Sequence, residues 1–128
     1  MAILVIEDRE PVCRLYGSIL QYANYHPVLA YTGEDGIQAA LVNRPDLVIL
    51  DMMLPGISGA EVAQNLQESG ILPGIPLIIA TGARFDEAEA AFQPFRPAAI
   101  LIKPFDADSL LAAVHAGLTD DCQKAPCS

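Results

Sequence analysis

Five short apolar runs, each followed by a longer stretch of helical period, constrain this chain more than any other feature. The runs are Ile3–Ile6, Pro27–Ala30, Leu47–Leu50, Leu77–Ala80 and Ile100–Ile102. Four of them carry almost no polar alternation, which suits strands covered on both faces, as in a parallel sheet. Alternating β and α segments of this kind predict a doubly wound, five-stranded parallel sheet in an α/β fold. The functional site is then expected beyond the carboxyl ends of the strands.

The intervening stretches have recognisable helix ends. Pro11 sits where a first helical turn tolerates it, with Val12, Leu15, Ile19 and Leu20 as the expected apolar face. Thr32 and Asp35 resemble a capping box, with Ile37, Ala40 and Leu41 behind them. Ser58 and Glu61 form a better one, followed by Val62 and Leu66 and stopped near Gly70. A fourth helix near Arg84–Phe92 is cut short by Pro94 and Pro97. Asp106 is the expected N-cap of the fifth, whose face is Leu110, Leu111 and Val114, with Gly117 as its stop.

At 128 residues and 52% apolar the chain is expected to make one domain with one core. Net charge is −9 and the seven basic residues are scattered, so no basic stripe is available for direct nucleic-acid binding. No window approaches the about 20 apolar residues needed to cross a bilayer, and the opening apolar run is too short for a signal segment. A cytoplasmic protein is expected. Of three cysteines, Cys13 falls in a helix candidate and Cys122 and Cys127 near the end, and all three are expected to be incidental or structural.

The strand ends carry the chemistry. Glu7-Asp8 closes the first run, Asp51 the third, Thr81 the fourth and Lys103 the fifth. An ionised carboxylate straight after a buried strand is costly unless a partner or metal compensates it. Asp8 and Asp51 offer the hard oxygen ligands that Mg²⁺ prefers, and Glu7 would ligate directly or hold a bound water. Asp51 is the candidate nucleophile, able to accept a phosphoryl group as an aspartyl phosphate. Thr81 could donate its hydroxyl to a phosphoryl oxygen. Lys103 would pair with Asp51 at rest and with phosphoryl oxygens afterwards. Singly, Glu7 and Asp8 also suit capping duty before Pro11, and Asp51 suits a turn before Met52-Met53-Leu54-Pro55-Gly56. Their convergence on one sheet edge favours the phosphoryl site. Phosphate-loop and dinucleotide glycine signatures are absent.

Four stretches resemble the receiver domain of two-component response regulators: Ile3–Asp8, Asp46–Gly59, Pro76–Gly82 and Lys103–Asp106. The likeness covers about residues 2–118 and implies a flavodoxin-like (βα)5 sheet of strand order 2-1-3-4-5. It implies that Asp51 accepts phosphate from a phosphohistidine on a sensor histidine kinase or histidine phosphotransfer protein. Glu7, Asp8, Asp51 and the Met53 backbone carbonyl would hold Mg²⁺, with Thr81 and Lys103 on the phosphoryl group. No separate substrate turnover is implied. A downstream protein would read the state from the face of the fourth helix, fifth strand and fifth helix, where Phe85, Phe92 and Phe95 supply large apolar area, either to that surface or to the core. The chain departs from the family at Ile100, where an aromatic is usual, and at Gly82, where Ala is common. Residues 1–118 are expected to form the receiver and 119–128 a short polar tail, implying a stand-alone receiver.

Two readings compete. A receiver-fold binding module that signals without phosphate finds support in Ile100 alone. A metal-dependent phosphohydrolase would want a second carboxylate close after Asp51, where Met53 stands, and a substrate cap for which no insertion exists.

Overall fold

The apolar runs form β1 (Ala2–Ile6), β2 (His26–Ala30), β3 (Leu47–Asp51), β4 (Leu77–Thr81) and β5 (Ala99–Ile102) in the computed structural model. The backbone is described for residues 1–127 and side chains for residues 1–119. All pairings are parallel and the order is β2-β1-β3-β4-β5, as the sequence reading expected. Every residue of β3 and β4 is buried, which is why neither run alternates with polar residues. Pro27 lies on β2, an edge strand, where a missing N–H is tolerated.

The helices are α1 (Glu10–Tyr22), α2 (Gly33–Val42), α3 (Gly59–Glu68), α4 (Phe85–Phe92) and α5 (Ala107–Cys127). Their starts follow the capping chemistry. Thr32 Oγ1 accepts the Asp35 N–H at 3.0 Å. Ser58 and Glu61 make a reciprocal box, at 3.2 and 3.1 Å. Asp106 Oδ1 accepts the Ser109 N–H at 2.8 Å. Gly70, at φ +82°, takes the left-handed turn that ends α3.

Two apolar layers sandwich the sheet. Ile3, Val5, Leu47, Ile49, Ile78 and Ala80 meet α1 and α5 through Cys13, Tyr16, Leu20, Leu110 and Val114. Leu4, Ile6, Val48, Leu50, Leu77 and Ile79 meet α2, α3 and α4 through Ala40, Val62, Leu66 and Phe92.

Three expectations are corrected. Of the expected α1 face, Val12, Ile19 and Leu20 pack on the core beside the buried Cys13, Tyr16 and Gly17, while Leu15 points to solvent. Leu41 is likewise exposed, while Ile37 and Ala40 make the expected α2 contact. Gly117 does not stop α5, which continues to Cys127 through what was expected to be a tail. A Cβ at Gly117 would meet Leu47 Cδ1 at 3.2 Å and Pro76 Cβ at 3.5 Å, so this glycine lets the helix lie close on the sheet. Of the three phenylalanines, Phe92 and Phe95 belong to the core, their rings tilted at 57° with centroids 6.2 Å apart, and Phe85 is exposed. Cys122 and Cys127 lie outside the described side chains.

Candidate functional site

Strand register brings the carboxylates together. Ile6 and Leu50 are Cα partners, so the next residues, Glu7 and Asp51, leave adjacent strands side by side. Strand alternation sends Glu7 and Asp51 to the α1/α5 face, in phase with Val5 and Ile49. Thr81 continues Leu77 and Ile79 toward the α4 side. Lys103 follows β5, its backbone N–H held by the Thr81 carbonyl at 2.7 Å. It keeps the phase of Leu101, so its long stem carries the ammonium back across the strand ends.

One carboxylate oxygen each of Glu7, Asp8 and Asp51 lies within 4.8 Å of the others. Glu7 is 1% exposed and Asp51 5%, whereas Asp8 is half-buried. Lys103 Nζ donates to Glu7 Oε2 at 2.6 Å and to Asp51 Oδ2 at 3.3 Å. Lys103 thus spans both buried acids, with the shorter contact on Glu7, not Asp51. Burial works to lower the Lys103 pKa, but the hydrogen bond to Glu7 and the charges of Asp51 and Glu7 outweigh it, and the net shift is upward.

The turn and capping readings hold in part. Asp51 Oδ1 accepts the Met53 N–H at 3.0 Å, closing the turn with one oxygen while the other faces Lys103. Glu7 Oε1 accepts the Arg9 N–H at 3.2 Å. The N-cap of α1 is Arg9, with no side-chain cap bond, so neither Glu7 nor Asp8 is spent on capping. Thr81 is buried; its hydroxyl accepts the Ala83 N–H at 3.0 Å, and its hydroxyl hydrogen remains to be donated elsewhere.

Asp8, Asp51, Met53 and Lys103 line one open cleft of about 530 Å³. Three clustered carboxylates beside an open cleft fit a hard divalent cation that keeps waters and takes phosphate oxygens. Ile100 lies on the opposite face of the sheet, half-buried against the α4 layer.

Tyr16 and Gly59 were not singled out as neighbours of the site in the sequence. Tyr16 stacks on Phe105, centroids 5.3 Å apart and planes at 24°, directly behind Lys103-Pro104. Burial raises the Tyr16 pKa; Lys103 opposes this, while Glu7 and Asp51 add to it, which places the phenol within reach of the cluster's field. The helical spacing of Cys13, Tyr16, Gly17 and Leu20 was the available signal. Cys13 is buried beneath the first turn, and desolvation pushes its thiol up to about 11, leaving it inert. A Cβ at Gly59 would come within 2.5 Å of the Asp51 carbonyl oxygen and 2.8 Å of Met52 Cα. Gly59 therefore lets α3 start against the backbone that carries Asp51.

Comparison with known proteins agrees with this geometry. The sequence model of the response regulator receiver domain matches residues 3–115. The response regulators ArlR of Staphylococcus saprophyticus and of Staphylococcus aureus are each 34% identical over 122 residues, 95% of this chain and 54% of theirs. The chain thus spans about half the length of the curated relatives it matches. A response regulator receiver domain protein from Clostridium thermocellum superposes with a TM-score of 0.85 at 26% identity, covering 95% of this chain and 97% of that one. A CheY-like receiver domain protein from Methanospirillum hungatei gives 0.86 at 23%, covering 97% and 98%, a likeness of fold.

Proposed function

The chain belongs to the response regulator receiver domain family, and we propose that Asp51 is its phosphoacceptor, taking phosphate from a phosphohistidine of a sensor histidine kinase or histidine phosphotransfer protein. The observation that carries this is the buried Asp51 carboxylate, held between the Lys103 ammonium and two further acids at one sheet edge. An Asp51 oxygen would form the new bond to phosphorus as the bond to the donor nitrogen breaks, the electron pair staying on the imidazole.

The roles of the other residues follow from their places. Lys103 sits where its ammonium can move from the carboxylates to the phosphoryl oxygens, offsetting charge that develops there. Thr81 would turn its hydroxyl hydrogen toward a phosphoryl oxygen, while the Ala83 N–H fixes its oxygen. Glu7, Asp8, Asp51 and the Met53 carbonyl would hold Mg²⁺, which would supply positive charge against the phosphoryl oxygens. The chain thereby assists its own phosphorylation and dephosphorylation, with no separate substrate.

The signal would be a shift between two conformations, read in the cytoplasm by a protein partner on the α4-β5-α5 face, where Phe85 is 51% exposed. With Ile100 in place of the usual aromatic, the shift would run through Thr81 and the loop after it. Among the described residues no helix is long and apolar enough to cross a membrane. Residues 1–118 would act as the receiver unit.

The test is incubation with Mg²⁺ and acetyl phosphate followed by mass measurement of the intact protein. A single added phosphoryl group, lost in Asp51→Asn, is the expected result. No adduct on the wild type would favour signalling without phosphate, and release of many equivalents would favour a phosphohydrolase.

A further inference from the structure

The cleft over Asp51 has two cations in its wall among the described residues, Lys103 and Arg9. Lys103 is committed to Glu7 and Asp51 by hydrogen bonds of 2.6 and 3.3 Å. Arg9 is not. Its side chain is 63% exposed and its nearest charge contact is Nε to Glu7 Oε1 at 4.0 Å. Across the cleft stands Glu87 of α4, another negative charge.

Arg9 is well held at its backbone and exposed at its head, where its ion pair with Glu7 is long. Its N–H donates to Glu7 Oε1 at 3.2 Å and its carbonyl accepts the Cys13 N–H at 2.9 Å as α1 begins. The Cα is therefore fixed at the cleft rim while the side chain can sweep the opening. An anionic phosphodonor approaching Asp51 meets Asp8, Asp51 and Glu87 and must come in against their repulsion. A guanidinium can meet two phosphoryl oxygens at once with parallel N–H donors, which an ammonium cannot.

We propose that Arg9 is a catalytic residue of phosphorylation, its guanidinium binding the phosphoryl oxygens of the donor at the cleft mouth and delivering the phosphorus to Asp51. This rests on Asp51 being the phosphoacceptor. Arg9 contributes charge and orientation only: the bond from phosphorus to the donor breaks with its electron pair on the leaving group, the bond to Asp51 forms, and Arg9 keeps its protons.

The test is the second-order rate constant for Asp51 phosphorylation by acetyl phosphate, followed by intact mass at saturating Mg²⁺, with Mg²⁺ affinity measured separately. Arg9→Gln should react about 10-fold more slowly than wild type. Arg9→Lys should fall between the two, and Arg9→Glu below both. Mg²⁺ affinity should be unchanged or tighter in Arg9→Gln, because a cation near the carboxylates is gone. A merely structural role would move the two readouts together. Arg9→Gln reacting at the wild-type rate overturns the proposal, and so does a slowing matched by weaker Mg²⁺ binding. A wild type that takes no phosphoryl group overturns the phosphoacceptor reading itself, and Arg9 falls with it.

Discussion

The ammonium of Lys103 lies 2.6 Å from Glu7 Oε2, closer than the 3.3 Å that separates it from Asp51 Oδ2. Glu7 is the more deeply buried of the two acids, and a carboxylate so far from water needs Lys103 or a bound cation as a partner. Lys103 therefore binds the two acids unequally, gripping the Glu7 carboxylate closely and leaving Asp51 the looser partner.

Lys103→Met should separate these roles. Removing one partner of a buried pair is strongly destabilising, and Lys103 keeps some solvent contact, so a cost of about 2–3 kcal/mol is expected without divalent cation. Mg²⁺ affinity should rise, because the competing ammonium has gone, and added Mg²⁺ should restore much of the lost stability. Urea unfolding in EDTA and in Mg²⁺ checks both statements. A sharp loss of Mg²⁺ affinity would show that Lys103 does not face the carboxylates.

The pH dependence has a definite sign. The Lys103 pKa is raised in the folded state, so its contribution to stability is complete below the unfolded value of about 10.4 and is lost as pH rises through the folded value. The Tyr16 phenol is also raised, first by desolvation, and disfavours the folded state in the same alkaline range. Unfolding free energy should fall more steeply above about pH 10 in the wild type than in Lys103→Met. Tyr16→Phe serves as the control that removes the phenol alone. Identical alkaline slopes in wild type and Lys103→Met would contradict the pairing.

Tyr16 and Phe105 form the wall behind Lys103, joining α1 to the loop that opens α5. Tyr16→Phe preserves the stack and should cost under about 1 kcal/mol. Tyr16→Ala opens a cavity in the α1/α5 layer and should cost about 3–4 kcal/mol. Thermal or urea unfolding of the two variants decides this. Equal costs would mean that the hydroxyl, not the ring, carries the contribution.

Gly59→Ala tests how α3 sets the position of Asp51. The added methyl would fall 2.5 Å from the Asp51 carbonyl oxygen, against backbone that has no rotamer to adopt. A cost of about 1–3 kcal/mol is expected, together with weaker Mg²⁺ binding as the Asp51 backbone is displaced. Calorimetric Mg²⁺ titration of the folded variant reads the second effect. Unchanged affinity would show that the helix start, not the acid, absorbs the strain.

The sheet and its acids were legible in the sequence because one-dimensional signals determine them. A buried parallel strand must be apolar throughout, as Leu47–Leu50 is, and a charge at its end marks the sheet edge. What was not legible depended on the third dimension. The first helix offers more than one apolar stripe, and Leu15 is the more hydrophobic candidate, yet Tyr16 and Gly17 face the sheet. A Cβ at Gly17 would meet Leu29 Cδ2 at 3.1 Å, so the small residue chooses the face through a neighbour remote in sequence. Gly117 reads as a stop for the same reason: nothing local distinguishes a glycine that ends a helix from one that lets it pack closely. Phe92 and Phe95 resemble Phe85 in the sequence, and the neighbouring α2 and α3 layer decides which of them is covered.

The lifetime of the aspartyl phosphate should be set by Met53 and Ala83. Hydrolysis needs a water in line with the phosphorus, and positioned polar side chains supply that alignment. Both residues line the cleft over Asp51. Met53 is 65% exposed, so it leaves water access open while offering no strong hydrogen-bonding group to orient a water. Ala83 is engaged through its backbone N–H, which binds Thr81 Oγ1 at 3.0 Å, and has no polar side-chain atom. Water can therefore arrive but is not held, and slow decay is expected. Met53→Asn or Ala83→Glu should speed dephosphorylation by about 10-fold, equivalent to about 1.4 kcal/mol of barrier. The check is loss of the added phosphoryl mass over time in purified protein with Mg²⁺ and no partner. Equal or slower decay in both variants would show that other groups, such as Glu87 on the opposite wall, orient the attacking water.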